Sequence, residues 1–198
     1  MDQFLRNPSG NATSSAFTAE DVAIALKAAK PGTVPGYDNI HPVFLKHLGP
    51  RGCTWLALLL TRIVREQRMP KAWRRAKVVA IPKPVKDPQL PSSYRPISLL
   101  SVCFKLLERV VLQRISCRAD QLLSSKQTGF RRGRSTCDQV VALTTYIENG
   151  FQSNLKTGAV FLDLTAAYDT VWHTGLLYKL AKCMDPWFVY LVGPYLII

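Results

Sequence analysis

One short apolar run ends in a carboxylate, and this stretch constrains the chain most. Gly158 is followed by Val160, Phe161, Leu162 and then Asp163, and from Leu164 to Leu180 the apolar residues recur at helical spacing. A run of this length behind a glycine reads as a buried strand over 158–163. Asp163 then falls where a strand stops and a helix begins, with Tyr168 five residues on. Carboxylate oxygens at such a junction can hold a divalent ion against a phosphate. They can equally cap the helix, since Asp is a favoured N-cap residue. The stretch alone leaves both roles open.

Charge distribution narrows the choice. Residues 62–134 hold 18 basic and 4 acidic side chains, a net +14, against +13 for all 198 residues. The excess sits in one region, which points to a polyanion partner rather than a uniformly basic surface. An apolar fraction of 47% with 20% charged residues is that of a globular chain, not a disordered one. The five cysteines (Cys53, Cys103, Cys117, Cys137, Cys183) form no C-x-x-C pair, and no histidine stands near one at metal-ligand spacing. The pattern argues against a disulfide framework, a disulfide-linked partner and a zinc site, and for a reducing, intracellular compartment. The longest apolar stretch, Pro186 to Ile198, is too short to span a bilayer.

Along the chain, residues 1–17 read as a disordered leader. Thr18 and Asp21 form a capping-box pattern that opens a helix through Lys30. Further helices are expected over Pro42–Leu48 and Gly52–Gln67, and a strand over Ala76–Ile81. Prolines 82, 84, 88, 91 and 96 make the next stretch stiff and extended, with a new element starting at Ile97. That element becomes a long helix over Leu99–Asp120, with Cys103, Leu106, Leu107, Val110, Val111 and Ile115 on one stripe and Lys105, Arg109, Arg114 and Arg118 largely opposite. A basic, glycine-punctuated loop (127–138) precedes a helix over Asp138–Gln152. The four tryptophans, Trp55, Trp73, Trp172 and Trp187, read as core or groove anchors. The order of elements is that of an α+β or mixed α/β chain.

Four stretches carry the chemistry together: Lys83 on the proline-rich strand exit, Ser93-Tyr94-Arg95-Pro96-Ile97-Ser98, the loop from Gln127 to Asp138, and Phe161-Leu162-Asp163 with Tyr168. Cations beside a carboxylate suit a phosphate with a divalent ion between them. Their joint order resembles the reverse transcriptase domain of non-LTR (LINE-type) retrotransposons, from about Ala28 to Leu191. Pro35-Gly36-Tyr37-Asp38-Asn39-Ile40 resembles the block before the fingers. Tyr94-Arg95-Pro96-Ile97-Ser98-Leu99-Leu100 and Gln127-x-Gly129-Phe130-Arg131-x-Gly133-Arg134-Ser135-Thr136-x-Asp138 match the finger and template-side blocks. Phe161 to Asp169 matches the first catalytic block of the palm.

The resemblance implies an α+β fold, mostly helical with a few antiparallel strands: the fingers (18–157) and start of the palm (158–198) of a right-hand polymerase, truncated. It implies RNA-directed DNA polymerisation, with an RNA template, a DNA primer and dNTPs as partners and Mg²⁺ or Mn²⁺ as cofactor. Asp163 would be the catalytic, metal-binding aspartate, with the Leu164 carbonyl as a backbone ligand. Lys83 and Arg95 would hold the triphosphate, and Tyr168 would sit under the nucleotide sugar. Gln127, Gly129, Phe130, Arg131, Arg132 and Arg134 would contact the template. Asp169 reads instead as a carboxylate favoured by a helix dipole. Two-metal transfer needs a further carboxylate pair. The family supplies it as Tyr/Phe-x-Asp-Asp, and this chain has no adjacent Asp-Asp. The expectation is a fragment inactive alone, with a partial metal site. The alternative is a non-catalytic nucleic-acid-binding remnant that uses only the basic 62–134 region. Either way, the protein should be retained on a polyanion column at moderate salt and bind oligonucleotides more weakly as salt rises. Flow-through at low salt would leave the basic region without a polyanion role.

Overall fold

Side-chain caps open some helices of this chain, and each of the three helices that build the core buries one apolar stripe. The computed structural model describes residues 16–30, 32–164 and 167–196. Its helices are α1 (Ala19–Lys27), α2 (Pro42–Lys46), α3 (Gly49–Glu66), α4 (Val102–Leu122), α5 (Thr136–Gln152), α6 (His173–Cys183) and α7 (Pro186–Leu196). Two strands, β1 (Lys77–Pro82) and β2 (Tyr94–Leu99), pair antiparallel, with Lys77 opposite Leu99 and Pro82 opposite Tyr94. The fold is α+β, predominantly helical. No helix among the described residues is long and apolar enough to cross a membrane.

Helices α1, α3 and α4 enclose the core. Val22, Ala25 and Leu26 meet Leu56, Leu60, Ile63 and Val64, and Leu106, Leu107 and Val110 close the third side. Leu191 of α7 joins the same cluster, with Trp187 and Phe188 packed against it. The capping box at Thr18 forms as expected: Thr18 N–H donates to Asp21 Oδ2 (2.9 Å), and Asp21 N–H to Thr18 Oγ1 (3.1 Å). Phe17 is not part of a loose leader. It is buried, its N–H donates to Thr61 Oγ1 (2.8 Å), and its ring meets that of Trp187 edge-on at 6.4 Å. Residues 1–15 of that expected leader lie outside the described residues.

The arginines of α4 are not simply on a solvent face. Arg114 sits over the Phe17 ring at 4.6 Å and donates to the Ala16 carbonyl and to Asp21 Oδ2. Arg109 donates to the Ala25 carbonyl and Arg118 to that of Cys183. Guanidinium groups with several planar donors satisfy helix-end carbonyls that no backbone N–H can reach.

Three expected elements change. The stretch 94–99 is a strand, and α4 starts only at Val102, because Pro96 is tolerated in a strand whose outer edge needs no N–H donor. Ser101 caps α4, accepting from Cys103 N–H at 3.2 Å. The run 158–163 is not a strand, and the following helix begins at His173 rather than at Leu164. Val160, Phe161 and Leu162 are more than four-fifths exposed, and no described strand lies beside them. A strand cannot form alone, because its N–H and C=O groups need a neighbour. Of the tryptophans, Trp73 and Trp187 serve the core, whereas Trp55 and Trp172 are exposed.

The Pro35–Ile40 block has a structural explanation. A Cβ on Gly36 would lie 2.5 Å from the Leu100 carbonyl carbon and 2.6 Å from Ser101 N, so only glycine lets the loop touch the β2–α4 junction. Asp38 Oδ2 then accepts from the buried Ser101 hydroxyl at 2.6 Å. Cys103 lies beside this bond. Its thiol is pushed up to about 11, chiefly by burial and then by the Asp38 charge, against the lowering effect of the Ser101 hydroxyl.

These contacts set two expectations. Leu60→Ala should lower stability by about 2–5 kcal/mol and Gly36→Ala by at least about 1 kcal/mol, while exposed Trp55→Ala shifts it within about 0.5 kcal/mol; urea titration measures all three. The unfolded Cys103 thiol ionises below its folded value, so its protonated burial ceases to be neutral as pH rises past 9 towards 11, and stability falls across that window. Cys103→Ala should flatten that part of the stability–pH curve, and iodoacetamide at mildly alkaline pH should label exposed Cys117 and Cys137 before Cys103.

Candidate nucleotide and nucleic-acid interface

The β1–β2 hairpin places two of the expected cations on one face. Side chains alternate along a strand, so Lys77, Val79 and Ile81 share a face with Arg95, Ile97 and Leu99 across the ladder. Lys83 N–H donates to the Ser93 carbonyl at 2.7 Å, which carries the register one residue past β1. Lys83 thus stands diagonal to Arg95 on that face, a separation of about 7–8 Å. Ile81 stands opposite Arg95, Val79 and Ile97 form the next pair along the same face, and all three are exposed. The loop that closes the hairpin is braced. Lys83 Nζ donates to the Ser92 carbonyl (2.7 Å), Tyr94 Oη to the Pro88 carbonyl (2.9 Å), and Gln89 N–H to Asp87 Oδ1 (2.9 Å). Arg95 is exposed, and its side chain makes no ion pair or hydrogen bond with the described residues.

The 127–138 loop is built around Arg131. Its guanidinium pairs with Asp120 at 3.1 Å and donates to the Ser124 carbonyl at 2.9 Å, and its side chain is only 12% exposed. Gln127 Nε2 donates to the Gly129 carbonyl, and Gln139 Nε2 to that of Lys126. Ser135 N–H donates to Asp138 Oδ2 at 2.8 Å, opening α5 two residues earlier than expected. Phe130, Arg132 and Arg134 project outward, and Gly133 takes a φ of +72°. α5 itself buries no residue and exposes Val140, Val141, Tyr146 and Phe151.

The segment around Asp163 is the least assembled. Asp163, Leu164 and Tyr168 are all exposed, and 165–166 lie outside the described residues. Among the described residues no hydrogen bond, ion pair or ring contact joins Asp163 or Tyr168 to Lys83, Arg95 or the 127–138 loop. No group of three His, Cys, Asp or Glu side chains among them could hold a metal ion. One carboxylate and one neighbouring carbonyl would supply only part of the six oxygens that Mg²⁺ takes in near-octahedral order, the rest coming from water, substrate phosphate or further carboxylates.

Two features escaped sequence reasoning. Ser101 and Asp38 lock the hairpin exit; the signal was a serine just before a helical stripe, a favoured N-cap. Arg68, Lys71 and Arg74 line a cleft of about 270 Å³ with Ile63, Gln67 and Leu191, a grouping that only the packing of α7 near the end of α3 creates.

Comparison with known proteins gives these positions a context. Residues 81–192 match the family "Reverse transcriptase (RNA-dependent DNA polymerase)", which takes in the hairpin exit, the Arg131 loop and Asp163. A Drosophila melanogaster protein named "Probable RNA-directed DNA polymerase from transposon BS" is 41% identical over 82% of this chain and 18% of its own length. The RNA-directed DNA polymerases from mobile element jockey are similar, at 34% identity over 85% of this chain in Drosophila funebris and 31% over 97% in Drosophila melanogaster. The chain spans about a fifth of the length of these relatives. As its resemblance to the non-LTR retrotransposon members anticipated, the chain belongs to the reverse transcriptase (RNA-dependent DNA polymerase) family.

Proposed function

We propose that these residues are the fingers and the start of the palm of an RNA-directed DNA polymerase, acting on an RNA template, a DNA primer and dNTPs. The observation that carries the reading is the hairpin face on which Lys83 and Arg95 stand next to one another, with exposed Ile81, Val79 and Ile97 continuing the same face. Two cations beside an aliphatic surface suit a triphosphate whose base and sugar lie against apolar groups. Lys83 already donates to a neutral carbonyl, and exchanging it for a phosphate oxygen turns that bond into a charge-assisted one.

Tyr168 is assigned to the space beneath the nucleotide sugar. Gln127, Gly129, Phe130, Arg132 and Arg134 are assigned to the template side. Reverse transcriptases use divalent metal ions. Asp163 and the Leu164 carbonyl are this chain's share of the donors for Mg²⁺ or Mn²⁺, and no transfer step is assigned to them alone. The chain by itself therefore binds nucleotides and nucleic acid without extending a primer.

The test is dNTP binding by calorimetry, with and without Mg²⁺. Lys83→Ala and Arg95→Ala should each weaken binding by roughly tenfold, the scale of a hydrogen bond to a charged group. Unchanged affinity in both variants sinks the assignment of the hairpin. Asp163→Ala separates a catalytic lineage from a binding remnant: loss of the Mg²⁺-dependent component supports the polymerase site, while no change leaves only the basic 62–134 surface. Primer extension by the purified 198 residues would refute inactivity.

A further inference from the structure

Arg131 is the most thoroughly engaged side chain of the 127–138 loop, and its partners are all protein. Nε and Nη2 reach Asp120 Oδ1 at 3.2 and 3.1 Å. Nη1 reaches the Ser124 carbonyl at 2.9 Å and the Gln127 carbonyl at 3.4 Å. The fork thus spans from the last turns of α4, across the link after α4, to the loop itself. The residue before it does the opposite. Phe130 is 99% exposed and sits at a φ of +58°, where a Cβ crowds the backbone. A strained backbone that shows a whole aromatic ring to water contributes nothing to folding. Such strain persists only where surrounding contacts impose it, and the clasp formed by Arg131 is that contact. Arg132 and Arg134 follow Phe130 in the loop and are exposed.

We propose that Arg131 is a positioning residue rather than a nucleic-acid contact, and that it holds Phe130 out as a stacking platform for one base of a single-stranded nucleic acid. Arg132 and Arg134 meet the adjoining phosphates. Every base has a π-face, so such a platform binds single strands without strong sequence preference. This rests on the nucleic-acid reading of the loop given above and adds which residue contacts and which one only orients.

Asp120 provides the discriminating variant. Removing an acid beside a basic loop should tighten polyanion binding on charge alone, and it spares α4, whose C-terminal end disfavours negative charge. The clasp demands the reverse. Binding of a mixed-sequence single-stranded RNA oligonucleotide to the 198-residue protein is read by fluorescence anisotropy across a salt series, with amide exchange of residues 124–131 in parallel. Expected are a loss of roughly fivefold or more in Phe130→Ala and a comparable loss in Asp120→Ala and Arg131→Ala. Arg131→Lys should not rescue, because an ammonium cannot span three acceptors. Amide exchange should quicken in Asp120→Ala and Arg131→Ala but not in Phe130→Ala. The salt slope should fall in Arg132→Ala and stay unchanged in Arg131→Ala. Equal or tighter binding by Asp120→Ala with unchanged exchange overturns the clasp, and full affinity in Phe130→Ala overturns the stacking. If the unaltered protein binds no RNA, the polymerase reading and the platform fail together, while exchange in Asp120→Ala still decides whether Arg131 orders the loop.

Discussion

The burial of Leu60 between α1 and α4 is the contact on which the rest of the structure depends. Leu60, Val22 and Val110 are each essentially removed from water at the point where three helices converge. Helices of 9 to 21 residues gain most of their stability from such an apolar stripe, not from intrinsic propensity. Arginines then tie the frame together from outside. Arg109 and Arg114 close α1 onto α4, and Arg118 fixes the end of α6 to α4. On α4 the basic charge of Arg109, Arg114 and Arg118 is thus spent on carbonyls and Asp21.

From this frame the functional elements project rather than assemble. The hairpin leaves the frame at the Gly36–Asp38–Ser101 junction, where close backbone contact and one short hydrogen bond set its exit. The Arg131 loop hangs from the C-terminal turns of α4. The segment around Asp163 has neither a ladder partner nor a buried face among the described residues. Rigidity therefore falls from the helical core through the braced hairpin to the extended 158–164 stretch, which parallels how many partners each has within these residues.

Much of the helical fold was legible from residue order because its signals are local. The capping box at Thr18 and Asp21, the α4 stripe and the Gly-Arg loop each depend on residues within a few positions of one another. The strand over 158–163 was not borne out for the opposite reason. Its apolar residues state what the segment would bury, but a strand is a property of two chains of backbone and its partner is not among the described residues. Arg131 shows the same limit at the scale of a side chain: next to Arg132 and Arg134 it is one more cation, and only the return of the loop onto Asp120 separates it from them.

The sequence by itself determined the family, the concentration of positive charge in 62–134 and the capping box at Thr18 and Asp21, because these follow from residue order and short-range geometry. Tertiary structure alone decided which arginines remain available for a polyanion, that Phe17 belongs to the core, and that Asp163 stands apart from the hairpin cations. Those outcomes depend on contacts between residues far apart in the chain, such as Arg114 with Ala16 and Ser101 with Asp38. No local pattern encodes a partner that only folding brings within reach.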